Sequence, residues 1–163
     1  MPHNQKIISQ QEALLKAQDI CAKYEKCEYD IRQKLYEWKV NTEQHNYIID
    51  LLKKESYIDD QRYAVFFTKD KFKFSKWGKI KIEFALKQKH ISSGLIKNAL
   101  DEISENDYDE LLKKELEKKL NTIKDADEYT IKSKLVRFGL SRGFENGKVF
   151  DMVTSIIENK KNE

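Results

Sequence analysis

Val40, Ile91 and Phe144 stand 51 and 53 positions apart, and the residues around each recur at fixed offsets. Five positions before them lie Leu35, Leu86 and Gly139, the last beside Phe138. Eight positions after them come Ile48, Ala99 and Met152; nine after, Ile49, Leu100 and Val153; twelve after, Leu52, Ile103 and Ile156. Offsets of eight, nine and twelve fall on one face of a helix, so each anchor precedes a helix with the same buried stripe. A unit repeated three times at about fifty residues constrains the fold more than any other feature of this chain.

The anchors also suit helix entry. Asn41 and Ser92 follow the first two and are good N-caps, whereas Glu145 after Phe144 is a poor one. Four positions into each helix stand His45, Ile96 and Val149, so a staple closing on the anchor is apolar in two of the three copies. At the seam between copies, "YIDDQRYAVFF" (Tyr57–Phe67) places Asp59 or Asp60 to cap a new helix, with Ile58 and Tyr63 as its staple. Tyr63, Phe66 and Phe67 then predict one core-facing side. Each copy reads as three short helices: Gln10–Tyr24, Glu28–Lys39 and Thr42–Lys54; Asp60–Lys73, Lys79–Lys89 and Ser93–Ser104; Tyr108–Asn121, Glu128–Ser141 and Asn146–Asn159.

The fold class is therefore all-α, with three tandem three-helix repeats stacked into an elongated, curved body, because stacked units touch mainly their neighbours. The expected divisions are an N-terminal tail (1–9), repeats at 10–56, 57–105 and 106–158, and a C-terminal tail (159–163). Composition agrees: one proline, five glycines and 36% charged residues favour helix nearly throughout. In "KIKIEFALKQK", Ile82, Ala85 and Leu86 form one apolar face, and Ile80 and Phe84 another about 160° away. That pattern predicts a helix sandwiched between neighbours, exposing Lys81 with Gln88 on one side and the Glu83–Lys87 pair on the other.

Several chemistries find no support. There is no phosphate-binding glycine loop, nucleophile elbow or zinc-protease helix. Cys21 and Cys27 are about 9 Å apart along a helix axis and on different faces, and His3, His45 and His90 have no metal spacing with them. Both cysteines read as ordinary packed thiols. Gly78 reads as a turn, and Trp38 and Trp77 as packing residues before base-stacking platforms. No catalytic residue, metal ligand or cofactor is expected. With no apolar run of membrane-spanning length and no signal-type N-terminus, a cytosolic protein without a membrane partner is expected.

Charge carries the functional signal. Residues 62–97 hold ten Lys or Arg against two acids, and residues 98–130 are strongly acidic. Such a basic block is either a solvated helix surface or a phosphate-facing patch, since Lys and Arg release counterions from a nucleic-acid backbone. The candidates are Arg62, Lys69, Lys73, Lys76, Lys79, Lys81 and Lys87, with Arg137 and Arg142 from a second basic stretch. Lys113 and Lys114, inside the acidic block, are expected to contribute much less.

The stretch "YIDDQRYAVFFTKDKFKFSKWGKIKIEFALKQKHI" resembles the central segment of the RecX regulatory proteins. The likeness rests on Tyr57–Asp60, Tyr63 with Ala64, Gly78, Ile82, Leu86 and Ile91. "VRFGLSRGF" (Val136–Phe144) is similar to the start of their third repeat, and "CEYDIRQKLYEWKV" to their first. Two departures are "KHI" where the family has a glycine, and Gly139 where it has leucine. The resemblance spans about Gln10 to Ile157. It implies a non-catalytic, monomeric modulator that lies in the groove of the RecA–single-stranded DNA filament. There it would oppose filament extension, restraining homologous recombination and the SOS response to DNA damage. The residues alone leave two other readings open: a helical nucleic-acid-binding protein acting without RecA, and an adaptor that binds only proteins.

Leu86 and Leu100 follow from the repeat register as core residues. Replacing either by Ala is expected to cost about 2–5 kcal/mol, and an unchanged urea midpoint would overturn the register.

Overall fold

The computed structural model describes residues 7–124 and 126–163; Pro2, His3 and most of the expected N-terminal tail lie outside them. Among the described residues there are nine α-helices and no strand. The first unit holds α1 (Gln10–Lys23), α2 (Glu28–Glu37) and α3 (Thr42–Lys54). The second holds α4 (Asp60–Lys73), α5 (Lys79–Gln88) and α6 (Ser93–Asp101), and the third α7 (Glu105–Leu120), α8 (Glu128–Ser141) and α9 (Asn146–Lys161). The main helix packing stays within each triplet. The accessible surface is 10744 Å², well above the roughly 8,500 Å² of a compact monomer of this size. The body is thus extended.

The offset of five in the repeat has a direct cause. Val40, Ile91 and Phe144 each donate their N–H to the carbonyl five residues back, on Leu35, Leu86 and Gly139, at 3.0, 3.2 and 3.2 Å. This is the Schellman bond that closes a helix after one residue in the left-handed region. That residue is Lys39 (φ 57), His90 (φ 57) or Gly143 (φ 91). Each buried anchor (4%, 4% and 1% exposed) therefore ends the second helix of its unit and leads into the third. Lys39 and His90 occupy a conformation that suits glycine, at a cost of about 1–2 kcal/mol each.

Packing forms two cores. Ala13, Ala17, Ile31, Leu35, Ile48, Ile49 and Leu52 fill the first unit. The second and third units share the other, which runs from Tyr63 and Leu86 through Tyr108 and Leu116 to Phe144 and Ile156. Cys27 and Tyr29, at the start of α2, join that second core and plug the first unit onto it. Burial pushes the Cys27 thiol up to about 12 and the Cys21 thiol up to about 11, as befits packed cysteines.

Three expectations change. Leu100 is half-buried and Leu86 fully buried, so the cost at Leu100 belongs at the lower end of its range. Phe66 is 54% exposed, because the buried side of α4 centres on Tyr63, Ala64 and Thr68. Helix α5 is not sandwiched: Ile80 and Phe84 are 51% and 64% exposed. Neighbouring units touch α5 at its ends, through Lys89 and Gly78, and leave that flank open.

The units interlock through helix N-termini, whose first N–H groups have no partner within their own helix. Asp59 caps its own helix, accepting from the Arg62 N–H at 3.0 Å. Asp60 reaches across the seam and accepts from the Glu28 N–H at the start of α2, at 3.0 Å. At the equivalent place in the second unit, the Lys79 N–H donates to the Tyr108 hydroxyl of α7 at 2.9 Å. That hydroxyl donates in turn to Glu145 at 2.7 Å. The Gly78 and Ile80 N–H groups donate to the carbonyls of Arg142 and Gly143 at 2.7 and 3.0 Å. Gly78 is more than a turn: a Cβ there would strike the Gly143 carbonyl and the Phe144 nitrogen.

Changing Gly78 to Ala should therefore lower the unfolding free energy, read by urea titration, by about 1–3 kcal/mol. Ala at Gly94, where nothing lies near the new Cβ, should leave it unchanged or raise it; equal effects would sink the close-approach account. Glu28 offers a pH test. Burial opposes its charge, but hydrogen bonds from Lys53 and Arg32 outweigh burial and hold its pKa below the ordinary 4.5. The charged form thus stabilises the fold above about pH 4.5, and that contribution is lost as pH falls through the lowered native value. The stability gap between wild type and Glu28→Gln is expected to shrink on acidification; a gap constant from neutral pH to below 4 would contradict it.

Candidate nucleic-acid interface

The basic block does not form one surface. Helix α4 turns by about 100° per residue, which sets Lys71 roughly opposite Lys69 and Lys73. The nine candidates divide accordingly, and several are already engaged.

Arg62 is a clamp between units. Its guanidinium meets Glu25 at 2.8 Å and the carbonyls of Ser56 and Tyr57 at 3.1 and 3.4 Å. Lys69 pairs with Glu102 at 2.9 Å, Lys79 with Glu105 at 3.6 Å and Lys87 with Glu83 at 2.9 Å. Lys79 is also largely buried against the Tyr108 ring. Lys76 folds back to donate to the Lys73 carbonyl at 2.6 Å. Arg137 is exposed on α8, beside an apolar hollow lined by Val136, Leu140 and Phe150.

Lys81 and Arg142 are brought together. The turn at Gly143 rests on Lys81, whose Cβ fills the space that a Gly143 side chain would need. Lys81 Nζ lies 4.7 Å from the centre of the Trp77 ring, and Lys71 Nζ 5.0 Å from it. Phe67 meets Trp77 edge-on, with ring centres 6.4 Å apart. Arg142 reaches the Ser75 carbonyl at 3.4 Å and lies 5.0 Å over Phe138, a ring that Lys119 also covers at 5.6 Å. Lys71, Lys81, Lys119 and Arg142 thus form a connected group of cations resting on Trp77, Phe67 and Phe138. Among the described residues none of the four has an ion-pair partner, so their charge is available to solvent or to a ligand.

Two of these cations escaped sequence reasoning. Lys71 lies inside the basic block, and an alternation of Lys69, Lys71 and Lys73 on a helix is itself a sign that they split between sides. Lys119 sits in the acidic block, and nothing local marks it. Lys113 and Lys114, expected from the charge count to contribute much less, lie close to part of the basic block. They line the same 690 Å³ groove as Lys69, Lys73 and Lys76, because α7 faces α4 across it.

Aromatic rings interleaved with unpaired cations are chemically suited to polyanions, single-stranded nucleic acid among them. The fold defines the class: a helical-repeat protein of three-helix units. Two family models match the chain: "RecX, second three-helix domain" over residues 59–100 and "RecX, third three-helix domain" over residues 106–151. It is 32% identical over 158 residues to "Regulatory protein RecX" of Clostridium botulinum, covering 93% of this chain and 74% of that one. To the protein of the same name in Clostridium acetobutylicum it is 32% identical over 136 residues, spanning only 63% of that relative's length. A solved "regulatory protein RecX" superposes with a TM-score of 0.83 at 25% identity, over 90% of this chain and 73% of that one. The fold is also that of RecX from Lactobacillus salivarius, at a TM-score of 0.80, over 94% and 97% of the two chains. The chain belongs to the RecX family of regulatory proteins. Among the described residues no helix is long and apolar enough to cross a membrane.

Proposed function

We propose that this chain binds the RecA–single-stranded DNA filament and restrains recombinase activity, acting by occupancy without catalysis or cofactor. The observation that carries the reading is the group of four unpaired cations resting on the Trp77 and Phe138 rings. Cations held over rings are desolvated on one side and fixed in direction, which favours a phosphate backbone. The extended body with blocks of opposite charge fits a groove whose walls are protein and whose depth holds a polyanion. Membership of the RecX family supports the recombinase as the partner.

The test is RecA ATPase on single-stranded DNA, with direct titration of labelled single-stranded DNA. The wild-type chain is expected to lower the ATPase rate. Reversing Lys71 and Lys81 to Glu should weaken binding and flatten the slope of log affinity against log salt by about 1.4, at roughly 0.7 for each lost phosphate contact. Reversing Lys87 and Lys97, which already pair with Glu83 and Asp101, should do much less. Equal losses from both pairs would reduce the face to general charge. Binding to free DNA with no effect on the ATPase would favour a nucleic-acid-binding protein that acts without the recombinase.

A further inference from the structure

On the other side of α4 from Lys71, a groove of about 690 Å³ runs between α4 and α7. Phe72, Ile103 and Leu111 form its apolar floor. Phe72 is fixed there, its ring stacked on that of Tyr108 with centres 6.1 Å apart. The Lys69–Glu102 pair, at 2.9 Å, closes one end.

The two walls differ in charge. The α4 wall and the turn after it offer only cations: Lys69, Lys73 and Lys76. The α7 wall is mixed, with Asp107, Glu110 and Glu117 beside Lys113 and Lys114. Among the described residues, Lys73, Lys113 and Lys114 have no carboxylate partner, nor do Asp107 and Glu117 have a cationic one. A helix normally satisfies such groups with its own neighbours three or four residues along. Here Lys113 and Glu117 have that spacing and do not pair. The floor of Phe72, Ile103 and Leu111 lies open between the two walls.

We infer that this groove is a docking site for a helical segment of a partner protein, apolar along one stripe and carrying carboxylates along the edge that faces α4. Charge complementarity selects this occupant. Nucleic acid would meet the cations of α4, but it would also meet Asp107, Glu110 and Glu117 on the opposite wall, a repulsion that an amphipathic helix with both charge signs avoids. An apolar floor between two helices is a seat for a third helix, read by residues at i, i+3, i+4 and i+7. From Asp107 to Glu117 the wall is about 15 Å long, or three turns. The inference goes beyond the nucleic-acid reading of the Trp77 face, and it holds whichever protein supplies the segment.

The test uses the full chain and two labelled synthetic peptides of about 14 residues, covalently held as helices. Both have a leucine stripe; one has glutamates along one edge and lysines along the other, and its control has lysines along both. Labelled oligo-deoxythymidine is titrated in parallel. The acid-edged peptide is expected to bind at least tenfold more tightly than the control. Reversing Lys69 and Lys73 to Glu should invert that preference, while circular dichroism and oligonucleotide affinity stay within about twofold of wild type. Glu at Leu111, a half-buried floor position, should abolish binding of both peptides.

Failure of the acid-edged peptide to bind up to about 1 mM, or equal affinity for both peptides, would overturn the proposal. So would loss of oligonucleotide binding in the Lys69/Lys73 variant, which would assign the groove to nucleic acid. Concentration-dependent dimerisation abolished by the Leu111 change would overturn it too, assigning the groove to a second copy of the chain. Loss of ATPase inhibition on reversing Lys71 and Lys81 reads the other face and leaves this outcome separate.

Discussion

The Arg142–Gly143 turn carries much of the architecture. It is the third copy of the left-handed turn that ends the second helix of each unit. Its two carbonyls also accept the N–H groups of Gly78 and Ile80, where α5 starts without a side-chain cap. A helix start left bare in a dry interface would bury unpaired donors at about 1–3 kcal/mol each. The third unit supplies acceptors for the second, and both glycines are needed for the backbones to come this close. The Tyr108 hydroxyl completes the arrangement at Lys79, and burial raises its pKa so that it stays protonated and able to donate to Glu145.

The seam between the first two units uses the same principle with other groups. Asp60 accepts from the Glu28 N–H, and Lys89 meets Asp30 at 2.6 Å. Burial opposes the charge on Lys89, but the hydrogen bond to Asp30 overcomes it and raises the pKa. This seam rests on side chains and on the Cys27–Tyr29 plug, whereas the second rests on backbone and a continuous apolar core. The second and third units therefore form one body, with the first attached by a smaller, more polar contact.

The same joints decide which cations are free. Arg62 and Lys89 serve the first seam, and Lys79 is spent on Glu105 and the Tyr108 ring. Several of the cations left unpaired lie on two sides of α4, Lys71 and Lys81 on one and Lys73, Lys113 and Lys114 on the other. One side sets unpaired cations on aromatic rings; the other is a groove with an apolar floor and mixed walls. The two surfaces flanking α4 thus differ in chemistry, and each is suited to a different kind of contact.

The sequence by itself determined the helices, the three-fold repeat and the family, because these depend on local spacing. Hydrophobic stripes, the Asp59 cap and the five-residue closing bond all act within about a dozen residues of chain. It also placed Leu86, Val40, Ile91 and Phe144 in the core. Only the tertiary structure decided which residues of the basic block are free, since that depends on acids such as Glu25, Glu102 and Glu105, most of them tens of residues away. It alone exposed Ile80 and Phe84, because whether a second apolar stripe is covered depends on where the next unit docks. It alone brought Lys119 to Arg142 and Lys113 opposite Lys73. A charge count along the chain sums residues that a helix of 3.6 residues per turn then sends to opposite sides.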